Sequence, residues 1–143
     1  MIFKNSPTYL LLFISIILNA QNFNGTYTSN KTSYKENSKN NSSYVEETRF
    51  NIAVAIYNNN GEGDIIIQNP RVPENPVAYQ TIIKETSIEN DTIKAYPYIA
   101  ISQHLKDNES AKIVFYIKDD GTLNLMVVDG ESSQVFFNLI KDP

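Results

Sequence analysis

Ser102 and His104 are the place where a nucleophile and a base stand nearest in sequence, and His104 is the only histidine of the chain. On a strand, residues i and i+2 share a face, which is the disposition a hydroxyl and its general base require. Nucleophilic catalysis also needs a third group to orient the base. Asp107 and Glu109 follow closely, but in a polar stretch that imposes no geometry on them. A solvated histidine at a strand end accounts for the same residues. A second pattern, Asn58-x-Asn60-x-Glu62-Gly63-x-Ile65, sets oxygen-bearing side chains at alternate positions, as in a calcium loop. Its first position is asparagine and its twelfth is Asn69, which supplies no bidentate carboxylate. A hairpin turn explains it, and no metal is expected. Asp119-Asp120-Gly121 also reads as a tight turn. Glu46 and Glu47 are adjacent, so on a strand they face opposite ways and cannot act as a glycosidase pair. With no cysteine and no nucleophile motif, the chain is expected to be non-enzymatic and to carry no cofactor.

The tyrosines are the other candidates for contact with a ligand. Tyr96 and Tyr98 share one strand face, and Tyr57 and Tyr116 fall opposite their apolar rows. A flat apolar body with a polar tip suits sugars and peptides. Strands favour aromatic residues in any case, so tyrosines at the core boundary would read the same. The absence of tryptophan argues against a carbohydrate platform.

These residues sit on a chain patterned for strands. Residues 23–29 read as a first short strand. Asn30 to Ser43 is polar and has little to bury against its ordering entropy, so a long mobile loop is expected there. From Tyr44 to Tyr57, Phe50, Ile52, Val54 and Ile56 alternate with Arg49, Asn51, Ala53 and Ala55, which predicts a strand with one face on a core. Asn58 to Gly63 predicts a hairpin turn into a strand over Asp64–Asn69. Pro70, Pro73 and Pro76 mark a surface connection. Strands follow over Val77–Ser87 and Thr92–Ser102, parted by a turn at Glu89–Asp91. Pro97 points to an edge position or a bulge in the second of them. Gln103 to Ser110 reads as loop or one short helical turn. A closing meander is expected, with Ile113, Phe115 and Ile117, then Leu123, Leu125 and Val127, then Val135, Phe137 and Leu139 on its apolar face. Seven or eight strands with closely spaced turns make an all-β antiparallel meander, arranged as a small barrel or a sandwich.

The first twenty residues read as an export signal. Lys4 supplies positive charge, Leu10 to Leu18 is an unbroken apolar run, and Asn19-Ala20-Gln21 offers a cut point. The run is shorter than the roughly 20 residues a spanning helix needs, so residues 1–20 are expected to form a cleaved signal helix rather than a membrane span. Residues 21–143 then form a single domain, working in the periplasm or outside the cell. Without cysteine, neither a lipid anchor at the cut nor a disulfide is available, and the fold rests on its core. The formal net charge of −4 repels polyanions and argues against nucleic acid as a partner. Asn24, Asn30, Asn40, Asn41, Asn90 and Asn108 stand in glycosylation sequons, which an asparagine-rich bacterial composition also produces.

Phe23-Asn24-Gly25-Thr26-Tyr27 resembles the opening of a lipocalin-type (calycin) chain, in which a Gly-x-Trp motif begins the first strand. Tyr27 stands here in the place of that tryptophan. A long segment after the first strand, followed by a meander, is also similar to that family. The resemblance implies a barrel with an internal apolar cavity, and it carries over no catalytic residue. Ile52, Val54, Ile56, Phe115, Ile117 and Phe137 would then line or plug the interior, since small barrels are either filled by side chains or hold one ligand. The expectation is an exported binding module for a small apolar molecule. The alternative is a cell-envelope interaction protein that meets a protein or glycan through an exposed tyrosine face at Tyr96 and Tyr98, or through a sheet edge.

Overall fold

A computed structural model describes residues 21–36, 43–102 and 110–143. The expected signal at 1–20, and His104 with Asp107 and Glu109, lie outside the described residues. The described chain is all-β and antiparallel, with no helix. Its strands are β1 (Gly25–Ser29), β2 (Lys31–Glu36), β3 (Ser43–Glu46), β4 (Phe50–Ile56), β5 (Gly63–Gln68), β6 (Val77–Lys84), β7 (Ile88–Glu89), β8 (Ile93–Ser102), β9 (Ser110–Lys118), β10 (Leu123–Asp129), β11 (Ser132–Phe137) and β12 (Ile140–Lys141). Twelve strands replace the expected seven or eight because some long runs are interrupted. β1 breaks into β2 at Asn30, β3 into β4 at residues 47–49, β6 into β7 at residues 85–87, and β11 into β12 at residues 138–139.

The sheet curls into a barrel-like form, and its pairings show how its two ends meet. On one side of the β1–β2 run, Tyr27 pairs with Lys141 and Thr28 with Ile140. The same register continues past the break, with Lys31 opposite Phe137 and Glu36 opposite Ser132. On its other side the run pairs with β4 and then β3, from Gly25↔Val54 to Lys35↔Ser43. The first run therefore lies between the last run and the second. Asn30 falls opposite Asn138, whose φ of 51° is a left-handed conformation that asparagine tolerates.

Two expectations are corrected here, and a third is narrowed. Residues 30–43 do not form one long loop: Lys31–Glu36 is β2 and Ser43 begins β3, while residues 37–42 lie outside the described residues. β2 needs little apolar content because ladders on both sides satisfy its backbone, and buried Thr32 donates its hydroxyl to Val135 O at 2.8 Å. Phe137 does not line the interior. Phe136 is 1% exposed and Leu139 is buried, because the break at Asn138 shifts the alternation by one residue. Phe137 points the other way, beneath Lys31 Nζ at 5.7 Å from its ring centroid. Pro97, expected at an edge or a bulge, is not on an edge: it lies in a strand paired on both sides, beside the register shift of the β6–β8 ladder between Thr81 and Ile83. Its carbonyl accepts a bond from Glu85 N at 2.8 Å, where β6 has ended and β7 has not begun. The ring therefore faces a gap in the ladder that needs no N–H from it.

The interior is packed. Ile52, Ile65, Ile113, Phe115 and Leu125 are fully buried together, and Val54, Val127 and Phe136 join them. One end is shut by the segment preceding β1. Phe23 stacks on Phe115 with centroids 4.4 Å apart and planes 7° from parallel, and the Tyr96 ring meets Phe23 edge-on at 5.2 Å. Two hydrogen bonds from Asn24 hold this plug in place: Nδ2 donates to Ile56 O at 3.0 Å, and Oδ1 accepts from Ile56 N at 2.7 Å. Tyr27, in the position the family resemblance singles out, is buried and donates its hydroxyl to Phe23 O at 2.7 Å.

Candidate functional site

The chain alternates direction from run to run, so the ends of β2, β5, β8 and β10 gather at the end opposite the Phe23 plug. A recess of about 90 Å³ opens there. Phe50, Ile67, Val77, Val127 and Phe136 supply its apolar wall, and Asn69, Asn75, Tyr79 and Gln134 its polar groups. Each side chain is aimed by its strand. Val77 and Tyr79 are alternate residues of β6, Val127 pairs with Gln134 across β10 and β11, and Phe50 is the first residue of β4.

Asp129 is the next inward position on β10 after Val127; it does not line the recess itself and adjoins it through Tyr79. Its Oδ2 lies 3.5 Å from the Tyr79 hydroxyl, at the limit of hydrogen bonding. Its Oδ1 is buried and has no hydrogen-bond partner among the described residues. Thr81 Oγ1, deeper on the face of β6 that carries Tyr79, is likewise buried and unpartnered. Burial raises the Asp129 carboxyl above its ordinary pKa, against the opposite pull of the Tyr79 hydrogen bond. Burial also raises the Tyr79 phenol, and the Asp129 charge and hydrogen bond add to that, so Tyr79 remains a donor at neutral pH.

The residues named from sequence fall in different places. Ile52, Val54 and Phe115 form the packed interior below the recess. Ile56 and Ile117 are partly buried near the plugged end, and Phe137 is outside. Tyr98 is 6% exposed and crosses Phe115 edge-on at 5.9 Å, while Tyr96 is partly buried against the same cluster. An exposed tyrosine face at Tyr96 and Tyr98 is thereby corrected: the Tyr98 ring is buried against Phe115 and the Tyr96 ring is partly buried against Phe23. Tyr44 and Tyr57 are the tyrosines that stand exposed among the described residues. Sequence reasoning missed Tyr79, Gln134, Phe136 and Asp129. The period-two row Val77, Tyr79, Thr81 could have pointed to the first of them.

The turns keep their oxygen atoms for themselves. Asn58 Oδ1 accepts from Asn60 N at 3.0 Å and Glu62 N at 3.2 Å, and its Nδ2 donates to Glu62 Oε2 at 2.9 Å. The Asp120 carboxylate accepts from the Thr122 hydroxyl and from Thr122 N, and these bonds hold its pKa below the usual value. Among the described residues, no group of three or more histidine, cysteine, aspartate or glutamate side chains is placed to hold a metal.

A second feature is the edge at β3. All four of its residues are exposed, and among the described residues it pairs only with β2 and ends the strand order. Tyr44 lies against Tyr34 of β2, with ring centroids 5.4 Å apart. Compared with known protein families, curated proteins and solved structures, the chain matches none.

Proposed function

We propose that this chain is an exported, non-enzymatic binding module, lipocalin-like in architecture, that holds one end of a small molecule in the open mouth of its barrel. The observation that supports this is the asymmetry of the two ends. Phe23 fills the interior at one end, where the clefts around it, of about 370, 400 and 580 Å³, are lined mostly by polar residues, while the other keeps an apolar recess with convergent polar groups. Size decides how much of a ligand enters. Pockets for drug-sized ligands run to roughly 300–1,000 Å³, and this one is about 90 Å³. Only the end of a molecule is swallowed, and Ile52, Val54 and Phe115 serve as the filled floor beneath it.

Val77 stands at the rim, partly buried. Val77→Trp is expected to fill the recess and remove saturable binding of n-butanol, followed as shifts in an NMR titration. The melting temperature should move by no more than a few degrees, since the added ring takes up an existing opening and displaces no packed side chain. Undiminished butanol binding by the folded variant would remove the mouth as the site.

The β3 edge favours a second reading, in which an envelope protein adds a strand beside Ser43–Glu46. A bare strand edge presents unpaired backbone groups that an extended partner segment can complete.

A further inference from the structure

We propose that Asp129 receives the ammonium end of a primary alkylamine entering the mouth, with the alkyl part lying along Phe50, Val77 and Phe136. This rests on the mouth reading given above. The argument begins from an incomplete set of hydrogen bonds. A buried carboxylate oxygen without a donor carries a desolvation cost that native proteins seldom leave standing. Asp129 Oδ1 is such an atom, and no lysine or arginine pairs with Asp129 among the described residues. The nearest donor is the Tyr79 hydroxyl, which is long at 3.5 Å and addresses the other oxygen. Thr81 Oγ1 is a further unmet polar atom on the same inward face.

The ligand that answers this set has several N–H donors and a positive charge at one end, and an apolar body for the aromatic wall. A carboxylate is disfavoured by repulsion from Asp129. An alcohol brings one donor and no charge. A primary ammonium brings three donors and forms charge-assisted bonds, which are about twice as strong as neutral ones. Phe50 and Phe136, whose rings meet edge-on at 5.1 Å, offer apolar surface to the alkyl part. The chain's net charge of −4 draws cations toward it. A recess of about 90 Å³ suits an alkyl chain of a few carbons.

The test is an NMR titration of the purified protein at pH 7 with n-butylamine, n-butanol and butyrate. Butylamine is expected to bind about tenfold or more tighter than butanol, with butyrate weakest. Asp129→Asn, which keeps size and shape, should erase the preference for the amine. Equal binding of butylamine and butanol would overturn the ammonium assignment and leave the mouth reading standing. No binding of any of the three would overturn both. Should the D129N protein fail to fold, the ranking of the three probes on the unmodified protein still decides. Nα-acetyl-lysine methylamide separates two sources of the same chemistry. Binding as tight as butylamine assigns the site to a lysyl side chain, and weaker binding to a free amine.

Discussion

Phe115→Ala is expected to cost about 3–5 kcal/mol in stability, a large part of the roughly 5–15 kcal/mol that holds a domain folded. The ring is fully buried at the centre of the curled sheet, and its loss acts twice. It leaves a cavity that the surrounding ladder cannot collapse to fill, because hydrogen bonds fix the spacing of β8, β9 and β10 around it. It also removes the surface on which Phe23 stacks and against which Tyr98 packs, so the plug at that end loses its seat. Phe137→Ala is the matched comparison: the same side chain is removed from the opposite face of the sheet, and the expected cost is under about 1.5 kcal/mol. Urea unfolding of the two variants gives the difference directly. Similar midpoints for both would mean that the assignment of faces in β9 and β11 is wrong.

Gly63→Ala is the second large effect, expected at about 3 kcal/mol, and its mechanism is backbone contact. A Cβ built on Gly63 would lie 2.2 Å from Ala55 O and 2.7 Å from Ile56 Cα. Both are main-chain atoms of the partner strand, so no side chain can rotate away to make room. Relief requires separating β4 from β5 at the Ile56–Gly63 pair, where the hairpin turn begins. Gly121→Ala provides the contrast. Its φ of +86° is unfavourable for alanine, but nothing lies within 4 Å of the added carbon. Local strain of about 1 kcal/mol is expected there. Thermal unfolding should rank Gly63→Ala well below Gly121→Ala in midpoint. The reverse order would contradict the close approach of the two strands.

The strands were legible where side chains alternate cleanly. Ile52 and Val54 are buried and Asn51 and Ala53 less so, as a period of two requires. Ile113 and Phe115 on β9, and Leu125 and Val127 on β10, follow the same rule. The rule fails where the chain slips phase. From Val135 to Leu139 a single alternation would put Phe137 inside, but the left-handed Asn138 inserts an extra step and Phe136 takes that place. No local feature of the sequence announces such a slip, since asparagine is common throughout the chain. β2 was illegible for another reason. Its sequence KTSYKE buries chiefly Thr32, so its stability comes from the partners on either side and not from its own composition. Tyr96 and Tyr98 share a strand, as read, but whether such rings face solvent or a core depends on Phe23, which arrives from before β1. The mouth was least legible of all. Tyr79 and Asp129 are separated by 50 positions, and only the curling of the sheet brings them together.

The site assignment is tested most directly by intermolecular NOEs between n-butylamine and the isotope-labelled protein. Contacts from the butyl protons to Phe50, Val77, Val127 and Phe136 are the predicted result, with the Tyr79 and Asp129 amides shifting in the same titration. Contacts confined to Tyr44 and Val45 on β3, with the mouth signals unmoved, would contradict the account.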